Sequence, residues 1–150
     1  MKKIIIIIVI VVATLGLGVI LFTQSEKTQP EAGDVISKNG MHWHAKLAVF
    51  IKGQQQSVPK DIGIGTVHKP FHTHDDTGEL HLEFSGLVTK QDTKLSQFFK
   101  NWNKVFNSNC IFEFCNSQEG KVQFLVNGQE NKESDNYEVK DKDNLEIRYE

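Results

Sequence analysis

Residues 41–51 read MHWHAKLAVFI and residues 71–84 read FHTHDDTGELHLEF. In the first stretch Trp43, Ala45, Leu47, Val49 and Ile51 are apolar at every second position, the period of a strand with one face turned inward. His42, His44 and Lys46 then share the opposite face. Leu80, Leu82 and Phe84 repeat the pattern and leave Glu79, His81 and Glu83 outward. Asp76-Thr77-Gly78-Glu79 supplies turn chemistry between the two arms of a hairpin. With a turn of two or four residues, His74 stands opposite His81, His72 opposite Glu83 and Phe71 opposite Phe84. A three-residue turn would drive His74 into the core, so the even registers are preferred.

Lys52-Gly53-Gln54 reads as a turn, residues 56–59 as a short return strand and residues 61–70 as a glycine-bearing loop. Downstream, Leu95, Phe98, Phe99, Trp102 and Phe106 recur at helical spacing, with Asp92 or Thr93 as N-cap and Asn107-Ser108-Asn109 ending the run. Core packing explains this aromatic stripe better than a ligand-stacking platform. Strands return at residues 111–114, at Val122–Val126 before an Asn127-Gly128 turn, and where Leu145, Ile147 and Tyr149 alternate with Glu146, Arg148 and Glu150. The order predicts an α+β domain, one amphipathic helix packed on a mostly antiparallel β-sheet.

Upstream, residues 4–22 carry no charge and open with five consecutive isoleucines. A membrane-crossing helix takes about 20 apolar residues, whereas a signal-peptide core takes about 7 to 15 before a cleavage site of small residues. Gly16-Leu17-Gly18 and Thr23-Gln24-Ser25 are poor cleavage sites, and no cysteine follows to take a lipid. Residues 1–23 therefore read as a retained transmembrane anchor. Lys2 and Lys3 precede the span with no comparable basic cluster just after it, which puts the N-terminus in the cytoplasm and the remainder outside. Residues 24–40, polar and mixed in charge, read as a linker to an extracytoplasmic domain over residues 41–150.

The 150-residue chain has 17 Lys and Arg against 19 Asp and Glu, and without Lys2 and Lys3 the balance is 15 to 19. A mildly acidic remainder of about 125 residues suits one domain with a single core. It lacks the basic stripe that phosphate contacts need, which excludes nucleic acid as the expected partner. Composition also excludes repeat, coiled-coil and disulfide-dense classes. Nothing in the sequence resembles a nucleophile elbow, a phosphate loop or a dinucleotide fingerprint.

All six histidines fall between positions 42 and 81. In a strand, residues i and i+2 project from one face about 6 to 7 Å apart, so each His-x-His pair can present two imidazoles to one ion. His42, His44, His72, His74 and His81 form the candidate metal site, with Asp75, Asp76, Glu79 or Glu83 as further donors. Such a set suits zinc, copper, nickel or iron, whereas calcium and magnesium want oxygen ligands. Met41 adds a soft thioether beside the first pair and tilts the choice towards copper. His68, in a loop and out of phase with both pairs, is not assigned to the set.

Cys110 and Cys115 face an oxidising compartment in this topology, where an even pair most simply forms a disulfide. One straight strand between them would hold their Cα atoms about 16 Å apart, beyond the roughly 7 Å a bridge spans. Either the strand is bent or bulged, or the thiols are separate. The Cys-x4-Cys spacing is not that of a thioredoxin-like redox pair.

The runs MHWHAKLAVFIKGQQQSVPKDIGI and HTHDDTGELHLEF, then TKLSQFFKNWNKVF, VQFLVNG and LEIRYE, resemble a group of small membrane-anchored extracytoplasmic proteins of archaea, notably ammonia-oxidising ones. The likeness covers nearly all of the chain after the anchor. Its most specific pieces, the paired His-x-His motifs and the HTHDxxGxLH hairpin, imply a shared site at His42, His44, His72, His74 and His81, with no activity attached. The C-terminal half looks like that of small β-grasp domains. His72-x-His74-x4-Glu79 with Gly86 also resembles the first metal motif of the cupins, although no histidine follows His81 to supply the ligand that cupins take from a downstream motif.

Three functions are carried forward. The favoured one is a non-enzymatic, membrane-tethered module that captures or hands on copper or zinc. The second is a cupin-like metalloenzyme with the same ligands and Glu79 or Glu83 as general base. The third is a metal-free domain whose histidines sense pH or bind a protein partner.

Overall fold

The computed structural model describes residues 30–150, so the anchor expected over residues 1–23 and the linker up to residue 29 lie outside the described residues. The elements run β1 (Val35–Ser37), β2 (Met41–Ile51), β3 (Gln54–Gln56), β4 (Phe71–His72), β5 (Glu79–Phe84), β6 (Val88–Thr89), α1 (Leu95–Trp102), β7 (Cys110–Ile111), β8 (Phe114–Cys115), β9 (Val122–Val126), β10 (Gln129–Glu130) and β11 (Asn144–Tyr149). Among the described residues, no helix is long and apolar enough to cross a membrane.

Strand β2 is the spine, because its alternation buries Ala45, Leu47, Val49 and Ile51 while its length serves several partners. Its first half pairs antiparallel with β5 and its second half with β3. The other edge takes β11 in parallel, from Lys46 opposite Asn144 to Ile51 opposite Tyr149. Strands β9 and β10 extend the sheet beyond β11, and β4 closes it beyond β5, giving seven strands in a mixed sheet. The fold is thus α+β, with one α-helix among the described residues and a sheet that is antiparallel except at β2–β11. The cupin resemblance does not extend to architecture: among the described residues, one seven-stranded mixed sheet with two two-stranded ribbons and a helix is not a jelly roll of two packed sheets.

Helix α1 lays Leu95, Phe98 and Phe99 into the core. Phe98 meets Phe71 with ring centroids 5.5 Å apart, and the Asn101 side-chain amide donates to the Phe71 carbonyl at 2.8 Å. Those two contacts fix the edge strand β4. The helix is shorter than its aromatic spacing predicts. It begins after Lys94, without a side-chain cap, because Asp92 instead binds the Thr89 backbone N–H and hydroxyl. It stops at Trp102 because Asn103 enters the left-handed region, where asparagine is tolerated, and the Asn103 and Lys104 N–H groups close on the Lys100 and Phe99 carbonyls. Phe106 still reaches the core, but from the following loop, where it bridges Ile111.

Three other expectations are corrected. The return strand after β2 is Gln54–Gln56, not 56–59, because Lys52 and Gly53 both take positive φ and close a two-residue hairpin at once. Residues 111–114 do not form one strand: Phe112, at φ 54°, turns the chain so that β7 and β8 pair. That bend brings the Cα atoms of Cys110 and Cys115 to 4.0 Å, and the two cysteines are disulfide-bonded. The last part of the segment read as linker is also structured, with a 3-10 turn at Ala32–Asp34 and β1 paired to β6.

Gly78 carries a conformational demand that bears on the site. Its φ is +78°, and a Cβ there would collide with the Leu47 carbonyl oxygen, because the Gly78 carbonyl accepts from the Leu47 N–H at 2.8 Å. Gly78→Ala is expected to cost at least about 1–2 kcal/mol from backbone conformation alone. A urea midpoint unchanged from the parent protein would contradict this.

Candidate metal centre

The polar positions of β2, β4 and β5 meet in one row. His44 lies opposite His81 across β2–β5, His72 lies opposite His81 across β4–β5, and His42 lies opposite Glu83. The hairpin register differs from the expected one by two residues: Phe71 pairs with Leu82, not Phe84, and His72 rather than His74 faces His81. The cause is the intervening segment 73–78. Its Asp75 carboxylate accepts from the Thr77 N–H at 2.9 Å and the Thr77 hydroxyl at 2.6 Å, so the chain leaves the ladder before closing. A two-residue shift preserves the face, and every histidine of the pairs stays on it.

Thr73, fully buried, secures the loop. Its hydroxyl donates to the Pro59 carbonyl at 2.8 Å and accepts from the Ile62 N–H at 3.1 Å, which folds residues 59–64 against β4. His72 and His74 therefore project together on the other side. The same loop covers His72, leaving it 2% exposed where a solvated position was expected.

Covering His72 also fixes its chemistry. Its Nδ1 lies 2.9 Å from the Lys69 carbonyl oxygen, which can only accept, so Nδ1 carries the hydrogen and the Nε2 lone pair is free. That Nε2 meets the Nε2 of His74 at 3.1 Å. A hydrogen from His74 bridges the two nitrogens in the metal-free protein. Orientation of a ligand imidazole by a carbonyl on its other nitrogen is the usual support for a metal-binding histidine.

His81 sits between these imidazoles and the β2 pair, with ring centroids 4.6 Å from both His44 and His74. Its Nδ1 is buried without a hydrogen-bond partner, 3.6 Å from a Glu83 oxygen. Burial, and then the neighbouring imidazoles of His44, His74 and His72, hold its pKa below the usual histidine value. Burial likewise lowers that of His72, against the opposing effect of the Lys69 carbonyl. Both rings thus favour the neutral form that can ligate. In the metal-free protein the unfolded chain then binds more protons than the folded one as pH falls below about 6.5. Stability is lost on acidification in that range, and the urea midpoint is expected to be lower at pH 5.5 than at 7.5. An equal or higher midpoint at pH 5.5 would contradict these directions.

Two donor sets result. One atom each from His72, His74, His81 and Glu83 lie within 4.8 Å of one another, and so do atoms from His42, His44 and His81. All five histidines read from the sequence are brought together, joined by Glu83. Of the other carboxylates, Asp75 is engaged by Thr77, whose hydrogen bonds also hold its pKa below the usual range, and Glu79 lies between Lys46 and His81, with one oxygen 3.5 Å from the Lys46 Nζ and the other 3.5 Å from the His81 Nε2. Met41 alternates with His42 and packs against the core cluster, so its thioether is not on the histidine face. His68 is exposed, 6.2 Å from His72 between ring centroids, on the wall of a cavity of about 600 Å³ that His42, His72 and Glu83 also line.

Contacts invisible to local sequence reading hold the β2 half of the site. The His44 N–H donates to the Asp141 carboxylate at 3.0 Å across 97 residues, and the His44 carbonyl accepts from the Lys142 N–H at 2.6 Å. No spacing rule links such distant positions. No known family, curated protein or solved structure matches the chain.

Proposed function

We propose that the protein is a non-enzymatic metal-binding module, tethered outside the membrane, that captures or hands on copper or zinc. The observation that carries this reading is the approach of two imidazole Nε2 atoms to 3.1 Å beside a third imidazole and a carboxylate. Two nitrogens bound to one tetrahedral zinc at about 2.0–2.1 Å stand about 3.3 Å apart, so replacing the bridging hydrogen by an ion needs little movement. Three imidazoles and one carboxylate complete four-coordination, and the three nitrogen donors are ones that calcium and magnesium do not favour. The anchor and the extracytoplasmic location rest on the apolar run at residues 4–22 and on Lys2 and Lys3. A β-grasp-like fold accords with the parallel β2–β11 pair at the centre of the sheet and the helix between its two halves. Kinship with the archaeal extracytoplasmic group rests on the His-x-His and HTHDxxGxLH motifs.

A metalloenzyme is the second reading, favoured by the cavity that His42, His72 and Glu83 share. It needs a coordination position left open to that cavity. Metal analysis of the full-length chain, purified without a histidine tag, tests both readings against the metal-free one. Bound copper or zinc in stoichiometric amount is expected, and protein that holds neither after incubation with either ion overturns the assignment.

A further inference from the structure

The two donor sets differ in a way that a single five-histidine site would not. The outer set holds no buried residue: the His42 side chain is 61% exposed and pairs with Glu83, its Nε2 3.1 Å from the carboxylate oxygen, and His44 and His81 are half-buried. The inner set contains the buried His72, a ring oriented by the Lys69 carbonyl, and the Glu83 carboxylate. His81 belongs to both. Its Nδ1 is buried and its Nε2 faces a Glu79 oxygen at 3.5 Å, and the one ring is shared by the two positions. Glu83 touches both as well, since the oxygen that meets His42 also lies 3.6 Å from His81 Nδ1.

We infer that the histidine face is a two-position relay for one ion: His42, His44 and His81 capture it, and it passes on His81 to His72, His74 and Glu83. This inference rests on the metal-binding reading. The inner position has four donors, one of them anionic, and binds more tightly. The outer one has three imidazole donors, none of them buried, and it loads faster. Transfer breaks the bonds to His42 and His44 while those to His72, His74 and Glu83 form. The hydrogen bridging His72 and His74 leaves Nε2 of the exposed His74 for solvent while solvent supplies one to its Nδ1, so the ring ligates as a neutral imidazole.

Zinc titration against a chromophoric chelator, with stopped-flow loading, tests this on the full-length chain. Wild type is expected to bind one zinc. His42→Ala/His44→Ala keeps near-parental affinity but loads at least several-fold more slowly. His72→Ala/His74→Ala still binds one zinc, on the order of 100-fold more weakly, and Glu83→Gln weakens binding without slowing loading. His81→Gln, which retains side-chain volume, both weakens binding and slows loading, because each position loses a donor. Two zinc ions on wild type, complete loss of binding in either pair variant, or parental affinity in His81→Gln overturns the relay and leaves the metal-binding reading standing. Wild type that binds no zinc or copper overturns both.

Discussion

His72→Ala/His74→Ala is expected to lower metal affinity on the order of 100-fold or more. Loss of a group that merely orients a ligand costs about 10- to 100-fold in metal affinity, and here two ligands go together. The two positions are unequal in other respects. His74 is exposed, and its removal leaves the fold intact. His72 is buried, and its loss strands the Lys69 carbonyl, an unpaired acceptor worth about 1–3 kcal/mol of stability. His74→Ala alone therefore separates ligation from folding: affinity falls while the urea midpoint stays where it was. A variant that loses stability but retains parental affinity would mean that His72 is a core histidine and no ligand.

Phe98→Ala carries the largest expected effect on stability, about 3–5 kcal/mol. Its ring is fully buried and lies with centroids 5.5 Å from Phe71 and 5.8 Å from both Phe99 and Trp102. It is the apolar contact through which α1, beside the Asn101 hydrogen bond, presses on the two-residue strand β4. Cavity formation there loosens Phe71 and, through the next residue, His72, so a smaller loss of metal affinity accompanies the fall in urea midpoint. A loss below about 1 kcal/mol would show that the core closes around the gap.

The parts of this fold that local pattern decides were open to reading. Alternation from Trp43 to Ile51 and from Leu80 to Phe84 names the faces of β2 and β5, and the same parity puts the paired histidines together. What escaped depends on contacts distant in sequence or on backbone conformations a spacing rule does not weigh. The HTHD register moved by two because Asp75 and Thr77 build a turn of their own. The helix stopped early at the left-handed Asn103, and Phe112 folded a presumed strand into the hairpin that closes on the disulfide. Burial of His72 depends on Lys69 and Thr73 holding a glycine-bearing loop over β4, although periodicity alone makes the position look solvated. Glu83 stood among four candidate carboxylates, and its approach to His72, His74 and His81 follows from the pairing of β4 with β5, which spacing alone does not give.

The most direct test is equilibrium dialysis of the tag-free, full-length chain against copper and zinc, beside the His72→Ala/His74→Ala variant. The predicted result is a tightly held ion on the parent and only weak binding on the variant. Equal binding by both, or none by either, would contradict a metal centre on this face.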